Sequence, residues 1–335
     1  MKYILIDTGS ESNKLMMSDV GKMENAIQRT KTYETGNKIL DNLIRIHFSY
    51  AINQRINLPF KSIWNKWCVL DKLTLDDNYE YFIVIVNNAI HRLSVKHLNE
   101  LQKRDNIHIY SLLLDPFLHL PLNVQKQIKG VNWEKIYSFQ KSDCLKFNFT
   151  ISNNIYSKVD IALYGKTDSN KTDVYFVGLA KDRMDKIYKV YKRLADFGLA
   201  CDFNVIVDKR VLDAYKSKYT GINFKTSRIP YGDVLKSISA TRCILEICSE
   251  GQDGLTMRFY EAVFYNKMLI TNNITAKQSD YYNDTYMQVI ENYKDIDLDR
   301  IVNTDVVDYK YDGRYSPVNF LQTIVNDYYE YEKKD

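Results

Sequence analysis

Two hydrophobic patterns alternate along this chain. Short continuous apolar runs, such as FIVIV at positions 82–86, are typical of strands buried on both faces of a parallel sheet. Between these runs, apolar residues recur at three- or four-residue spacing, which indicates helices. Strands that alternate with helices predict parallel α/β sheets. In the first half, the predicted strands are 2–6, 81–86, 107–114 and 133–139, and the predicted helices are 37–56 and 94–104.

A second series of alternating elements follows the polar stretch YGKTDSNKTD, whose turn-forming residues indicate a domain boundary. We therefore predict domains at 1–165 and 166–312, each a doubly wound, Rossmann-like α/β sheet, and a final helix within 313–335 that begins near Pro317. The predicted elements of the second domain are strands 174–177, 201–207, 243–247 and 268–271, and helices 184–197, 231–239 and 255–266.

Composition narrows the class of protein. With 46 basic and 42 acidic residues, the net charge of +4 argues against a nucleic-acid-binding protein. Five cysteines without a Cys-x-x-Cys pair favour a reducing cytoplasm and argue against structural zinc. The opening MKYILID lacks the pattern of a secretory signal, and the apolar runs are too short to cross a bilayer. We therefore expect a cytoplasmic globular protein; the sequence leaves its oligomeric state open.

The most informative stretch is ILEICSEGQDGLTMRFYEAVFYNKMLITNN, where a predicted strand is followed by a glycine-containing loop and a helix. Gly251 and Gly254 allow a tight turn and a close approach of the backbone to a ligand. Amides at the helix start favour an anion such as a diphosphate, which Thr256 and Arg258 could also contact. Glu261 could accept hydrogen bonds from a ribose diol. The alternative is an ordinary turn with a solvated Arg–Glu surface.

The loop after the first strand of the second domain carries a second group of candidate residues. Gly178 ends the strand in VYFVGLAKDRMDKI, and Lys181 and Arg183 follow before a helix. These two cations could neutralise charge on a departing nucleotide diphosphate, or they could simply begin a charged helix. Tyr231 begins another predicted helix and could stack on a nucleotide base, although a plain turn explains it equally well.

These segments resemble the donor site of glycosyltransferases with the two-Rossmann GT-B fold. The form GQDGLTMRFYEAVFYNKMLITNN is similar to a branch that makes bacterial capsule, exopolysaccharide and lipopolysaccharide. In that family, two acids eight positions apart contact the sugar and the ribose, the spacing of Asp253 and Glu261. Glu250 is another candidate for the sugar contact, so the resemblance leaves that acid ambiguous. Gln252 and Leu255 complete the matched loop.

The resemblance implies two domains that face each other across a cleft, with the 313–335 helix crossing back toward the N-terminal domain. It implies a nucleotide-sugar donor, with UDP favoured, and a glycan or lipid-linked oligosaccharide acceptor, with peripheral association at the inner face of the cytoplasmic membrane. It implies no cofactor and no metal. The candidate bases on the acceptor side are Asp115 and His119, and Asp7 and His91 are further candidates at strand ends.

Two alternatives to a glycosyltransferase remain open. A non-hydrolysing nucleotide-sugar epimerase has the same architecture, and a non-catalytic nucleotide-sugar-binding partner in polysaccharide assembly would show the same donor loops. A Rossmann dehydrogenase is disfavoured because neither half has Gly-x-Gly-x-x-Gly after its first strand. The Asp-x-Asp pattern at 295–299 lies in a charged segment, and we interpret it as solvated surface.

Overall fold

A computed structural model describes the chain except for residues 8–10, 54, 55, 57, 74, 91, 165–171 and 333–335. The chain divides into two compact units. Unit 1 comprises Met1–Ser157 and Tyr315–Asp335, and unit 2 comprises Lys158–Arg314. The predicted boundary at 165/166 lies outside the described residues.

Unit 1 contains a six-stranded, fully parallel sheet in the order β2-β1-β3-β4-β5-β6. Its strands are β1 (Lys2–Ile6), β2 (Ala26–Arg29), β3 (Tyr81–Val86), β4 (Ile107–Leu113), β5 (Ile136–Ser138) and β6 (Thr150–Ile151). Its helices are α1 (Glu11–Met16), α2 (Lys38–His47), α3 (Tyr50–Asn53), α4 (Asn87–Ile90), α5 (Val95–Leu101), α6 (Leu122–Gly130) and α7 (Lys141–Phe147).

Strand β3 shows why the sheet is covered on both faces. Its side chains alternate between two hydrophobic clusters, because successive residues of a strand point to opposite faces. Ile83 and Ile85 belong to one cluster, whereas Phe82 and Val84 belong to the other. All six residues of the strand are buried, as its continuous apolar sequence predicts.

The last helix of the chain, α13 (Pro317–Glu332), belongs to unit 1. Its apolar residues pack with Tyr3, Phe82 and other residues of one sheet face, and Asp327 accepts a hydrogen bond from Tyr137 at 3.1 Å. The return of the chain to the N-terminal unit, expected from the resemblance, is therefore confirmed. The helix contributes Phe320, Leu321, Ile324 and Val325 to that core.

Unit 2 contains a second six-stranded parallel sheet, in the order β12-β11-β10-β7-β8-β9. Its strands are β7 (Thr172–Leu179), β8 (Cys201–Ile206), β9 (Asn223–Lys225), β10 (Thr241–Glu246), β11 (Met268–Thr271) and β12 (Met287–Val289). Its helices are α8 (Met184–Asp196), α9 (Leu212–Lys218), α10 (Tyr231–Ala240), α11 (Met257–Phe264) and α12 (Leu298–Asn303). Two parallel α/β sheets confirm the predicted doubly wound fold class.

The predicted 37–56 helix is wrong in its length. Helix α2 ends at His47, and the short α3 begins at Tyr50. The Asn53 side-chain amide donates to the carbonyls of His47 and Ser49, both at 2.8 Å. It thus provides a donor for the His47 carbonyl at the break, whereas the Ser49 carbonyl also accepts from the backbone amide of Asn53. Apolar spacing carried no sign of this break.

Candidate functional site

The order of strands in unit 2 locates a ligand-binding edge. From the central strand β7, the chain builds β8 and β9 on one side and then returns to place β10 on the other side. A parallel sheet binds ligands at such a reversal, beyond the carboxyl ends of the two neighbouring strands. The loops after β7 and β10 both begin at this edge, because the two strands are parallel neighbours. These are the two loops that carry the candidate donor residues.

Arg183 joins the ends of the two strands. Its Nε donates to the carbonyl of Leu179 at 3.0 Å, and its Nη1 donates to the carbonyl of Ile247. Gly178 makes room for this guanidinium, because a Cβ on Gly178 would lie 3.0 Å from Nη2 of Arg183. Arg183 therefore positions the two loops relative to each other, while the exposed Lys181 leaves its ammonium at the surface.

Asp182 makes a second connection between the same loops. Its own backbone amide, the amide of Glu250, the Arg183 charge and the Ser249 hydroxyl lower the pKa of its carboxyl. The surroundings of Asp182 therefore favour the charged form of its carboxyl. Donors from both loops that favour a carboxylate would also favour another anion.

Residues after strand β11 support the loop after β10 from its other side. The side chain of Asn272 accepts from the amide of Cys248 at 2.7 Å, and that of Asn273 donates to the carbonyl of Gly254 at 2.9 Å. Thr275 donates to the carbonyl of Asp253 at 2.7 Å. These three residues were not among the predicted site residues, although their position after a parallel strand is a signal that could have identified them.

Glu246 lies beneath this loop and is another residue that the sequence analysis missed. It is buried at the end of β10 and accepts hydrogen bonds from the hydroxyls of Thr256 and Thr271. Burial raises the pKa of its carboxyl. Thr256 uses its single proton on Glu246 and caps α11 by accepting from the amide of Arg258 at 3.2 Å. In this conformation its hydroxyl supports the loop and has no proton left for a diphosphate.

One ion pair and one hydrogen bond connect three side chains on the inner side of α11, those of Arg258, Glu261 and Tyr231. Nη1 of Arg258 lies 2.6 Å from the Glu261 carboxylate, and the Tyr231 hydroxyl donates to Glu261 at 3.0 Å. Glu261 is 0% exposed, whereas the Arg258 side chain is 15% exposed. Both Tyr231 and Glu261 are buried, and their roles toward a nucleotide base and a ribose stay predictions.

The remaining loop residues differ in their exposure. Glu250 and Gly251 are exposed, Gln252 and Asp253 are half-buried, and Gly254 and Leu255 are buried. Gly251 has φ +75°, a left-handed conformation in which glycine is favoured. The part of the loop that faces solvent is therefore 250–253, which includes both acids that the resemblance offered for the sugar contact.

The named side chains do not form a simple cationic pocket. Lys181, Arg183 and Arg258 are accompanied by five carboxylates, at positions 182, 246, 250, 253 and 261. Arg258 is paired with one of these carboxylates, and Arg183 donates to main-chain carbonyls. A bound diphosphate would therefore depend mainly on Lys181 and on backbone amides of the loop.

The base candidates belong to unit 1. Asp115 and His119 are exposed beyond the end of β4, on either side of the buried Phe117. Asp7 is fully buried and accepts from the side-chain Nε2 of Gln28 at 2.9 Å, and His91 lies outside the described residues. Two cavities of unit 1, of about 350 and 230 Å³, are lined by neither Asp115 nor His119.

Two groups of residues have side chains of the kinds that bind metals. The Asp-x-Asp segment caps helical turns, since Asp295 forms a capping box with Asn292 and Asp297 caps α12. Elsewhere, the ligand atoms of Cys68, Asp71 and His97 lie within 4.8 Å of one another. Burial raises the pKa of the Cys68 thiol to about 11, which disfavours the thiolate that zinc binds. We assign this group to packing.

Comparison with known proteins connects the architecture to solved structures. No protein-family model and no curated protein matches this sequence. The fold is similar to an α,α-trehalose-phosphate synthase (UDP-forming) from Burkholderia vietnamiensis, with TM-score 0.55, 9% identity, and 90% of each chain covered. It is also similar to S. aureus MnaA in a co-structure with UDP, with TM-score 0.54, 13% identity, and 97% of each chain covered.

A third similar structure is a Listeria monocytogenes protein assigned as a UDP-N-acetylglucosamine 2-epimerase, with TM-score 0.52 and 8% identity. It covers 98% of this chain, and the match includes 97% of that chain. Among the described residues, no helix has the length and apolarity needed to cross a membrane. Similarity along almost the whole chain, with two parallel six-stranded sheets, identifies this protein as having the GT-B fold.

Proposed function

We propose that this protein is a glycosyltransferase that moves a sugar from a nucleotide-sugar donor, with UDP-sugars favoured, to a glycan or lipid-linked glycan. The observation that carries this proposal is the joined pair of loops in unit 2. Arg183 connects them at the reversal point of the sheet by donating to the carbonyls of Leu179 and Ile247, one in each loop. The similar structures support the nucleotide, since one contains UDP and another is UDP-forming.

In the proposed complex, the diphosphate accepts hydrogen bonds from the Glu250 amide and the Ser249 hydroxyl, two groups that lower the pKa of the Asp182 carboxyl. Lys181 then pairs with the phosphate oxygens, because its ammonium is exposed beside the loop. Negative charge develops on the nucleotide diphosphate as the bond to the sugar breaks, and positioned donors that match this charge lower the barrier. The proposed sugar contacts are the exposed Glu250 and the half-buried Asp253.

The proposed biological setting is cell-surface polysaccharide synthesis, such as capsule or lipopolysaccharide, at the cytoplasmic face of the membrane. The sequence resemblance supports this setting. We propose no cofactor and no metal for the reaction, and Asp115 and His119 stay our candidates for the base.

The donor site is tested by titrating the full chain with UDP in a calorimeter, with ADP as the comparison nucleotide. We expect UDP to bind, and Lys181→Met to weaken binding about ten-fold, the effect of losing one charge-assisted hydrogen bond. Lys216→Met is the matched control, because Lys216 is an exposed lysine on α9 of the same unit. Absence of UDP binding, or equal affinity of the two variants, would contradict the proposed site.

The reaction is tested separately, because an epimerase of the same fold would also bind UDP-sugars. The full chain is incubated with UDP-N-acetylglucosamine or UDP-glucose, with and without a glycan acceptor, and the nucleotide products are separated. Release of UDP that requires the acceptor supports transfer. A changed sugar still attached to UDP, formed without acceptor, identifies an epimerase, and binding without either product identifies a non-catalytic partner.

A further inference from the structure

Helix α2 of unit 1 has apolar residues on two sides, and only one of these sides packs against the core. Ile44 is buried in the core, at helical spacing from Leu40. Ile39, Leu43 and Ile46 lie at positions i, i+4 and i+7, which share another side of a helix. They are 71%, 47% and 51% exposed, so this second apolar side has no cover within the described part of the chain.

The segment after α2 adds further exposed apolar side chains. Ile56, Phe60 and Ile63 are 68%, 76% and 55% exposed. The segment is attached to the end of α2 through His47, whose Nε2 bonds to the carbonyl of Pro59 at 2.8 Å and whose Nδ1 accepts from Trp64 Nε1 at 2.8 Å. We call the side chains of Ile39, Leu43, Ile46, Ile56, Phe60 and Ile63, taken together, the apolar–basic face.

Basic residues outnumber acidic ones in this part of the sequence, and Asp41 of α2 is the acid that comes just before it. From position 42 to position 70 the sequence contains no Asp or Glu, whereas it contains Arg45, Arg55, Lys61 and Lys66. Two of the three tryptophans of the chain also lie in this segment, and Nζ of Lys66 is 4.1 Å from the ring centroid of Trp67. Trp64 is buried and Trp67 packs against the core, so the exposed apolar side chains and the exposed Arg45 and Lys66 carry the match to an anionic membrane surface.

We propose that the apolar–basic face docks unit 1 on an anionic lipid surface. A second copy of the chain fits less well, because a symmetric interface would bring the same basic residues against each other. Other exposed apolar residues of unit 1, such as Leu122 and Leu145, lie outside this acid-free segment. The inference gives a surface to the membrane association proposed above, and it does not depend on the donor reaction.

The test measures sedimentation of the full chain with vesicles in the absence of any nucleotide. One set of vesicles contains equal parts of phosphatidylglycerol and phosphatidylcholine, and the other contains phosphatidylcholine alone. We expect binding to the anionic vesicles. Replacing Ile39, Leu43 and Ile46 together by serine should weaken it on the order of 100-fold, since each side chain loses its apolar burial. The matched control replaces Leu122, Leu145 and Ile151, also exposed residues of unit 1, by serine.

A charge variant keeps the test decisive if the serine variant folds poorly. Arg45→Gln with Lys66→Gln should weaken binding by about 25-fold, since each basic residue near an anionic surface contributes about five-fold. Lys126→Gln with Lys141→Gln, two exposed lysines of the same unit, should leave binding unchanged. Equal binding of both pairs, or no binding of the unmodified chain to anionic vesicles, would overturn the proposal.

Sedimentation velocity of the same variants tests whether a second copy of the chain, instead of a lipid surface, binds the apolar–basic face. A dimer that the serine variant abolishes, without vesicle binding by the unmodified chain, would assign the face to a second copy and refute lipid docking. Failure of UDP binding would leave the vesicle result intact, so the two proposals fail separately.

Discussion

Replacing Arg183 by methionine should separate the two loops that carry the candidate donor site. The substitution keeps most of the aliphatic stem but removes the guanidinium bonds to the carbonyls of Leu179 and Ile247. A hydrogen bond from a charged donor contributes about 1.5–3 kcal/mol. Because Arg183 is half-buried, we take the lower part of this range, about 1.5–2 kcal/mol, for each of the two bonds and expect a total loss of about 3–4 kcal/mol.

The assay is thermal unfolding followed by circular dichroism. A domain of this size changes its Tm by about 2–4 °C per kcal/mol, so Arg183→Met should lower the Tm of unit 2 by roughly 6–16 °C. Arg210→Met is the matched control, because Arg210 is 88% exposed and pairs with Asp208 on the surface of the same unit. That control should stay within about 0.5 kcal/mol of the unmodified protein.

The role of Arg183 can also be tested with a substitution at Gly178, in a double-mutant cycle. A Cβ at this position would crowd Nη2 of Arg183 at 3.0 Å and Cζ of Phe176 at 3.1 Å. Gly178→Ala should therefore destabilise the unmodified protein more than it destabilises Arg183→Met, and the difference is the coupling energy of a double-mutant cycle. Equal Tm values for Arg183→Met and Arg210→Met, with no coupling to Gly178, would refute the role given to Arg183.

Two further predictions concern the buried groups beneath the loops. Burial raises the pKa of Glu246, because the buried site disfavours the charged carboxylate. The neutral carboxyl therefore contributes its full stability below the unfolded pKa of about 4.3, and this stability is lost as the pH rises through the pKa of the folded state. Glu246→Gln should therefore gain stability over the unmodified protein between pH 4 and pH 8, measured as urea midpoints, and parallel pH profiles would contradict this. Tyr231→Phe removes a donor to the buried Glu261 and should cost about 1–3 kcal/mol in urea unfolding. Tyr188→Phe, which loses an exposed 3.4 Å contact with Thr220, should have almost no effect, and equal losses would argue against the buried bond.

The sequence predicted the elements whose residues are buried on both faces. Tyr81–Val86 is apolar throughout because both sides of β3 are covered, and its short length and its β-branched and aromatic residues favour a strand over a buried helix. The edge strands β6 and β12 were not predicted, because two or three residues are too few to show a period. Their positions depend on pairing with neighbouring strands, which is a tertiary property.

For the candidate site, the sequence identified the loops but not the partners of their side chains. Gly251 was predicted from its residue type, and its positive φ agrees with the expected turn. The bond of Arg183 to the carbonyl of Ile247 joins residues 64 positions apart, and local spacing carries no information on such a contact. Glu246 was overlooked because an acid at the end of an apolar strand resembles a solvated residue until its burial is known.

The return of α13 to unit 1 has a consequence for synthesis of the protein. The ribosome delivers residues 1–157 first, but Phe320, Leu321, Ile324 and Val325, which complete one side of that core, emerge after the whole of unit 2. Unit 2 is continuous in the chain, so it can finish folding while the N-terminal sheet still exposes an apolar surface around Tyr3 and Phe82. We therefore expect a chaperone to bind the nascent N-terminal half before α13 has been synthesised.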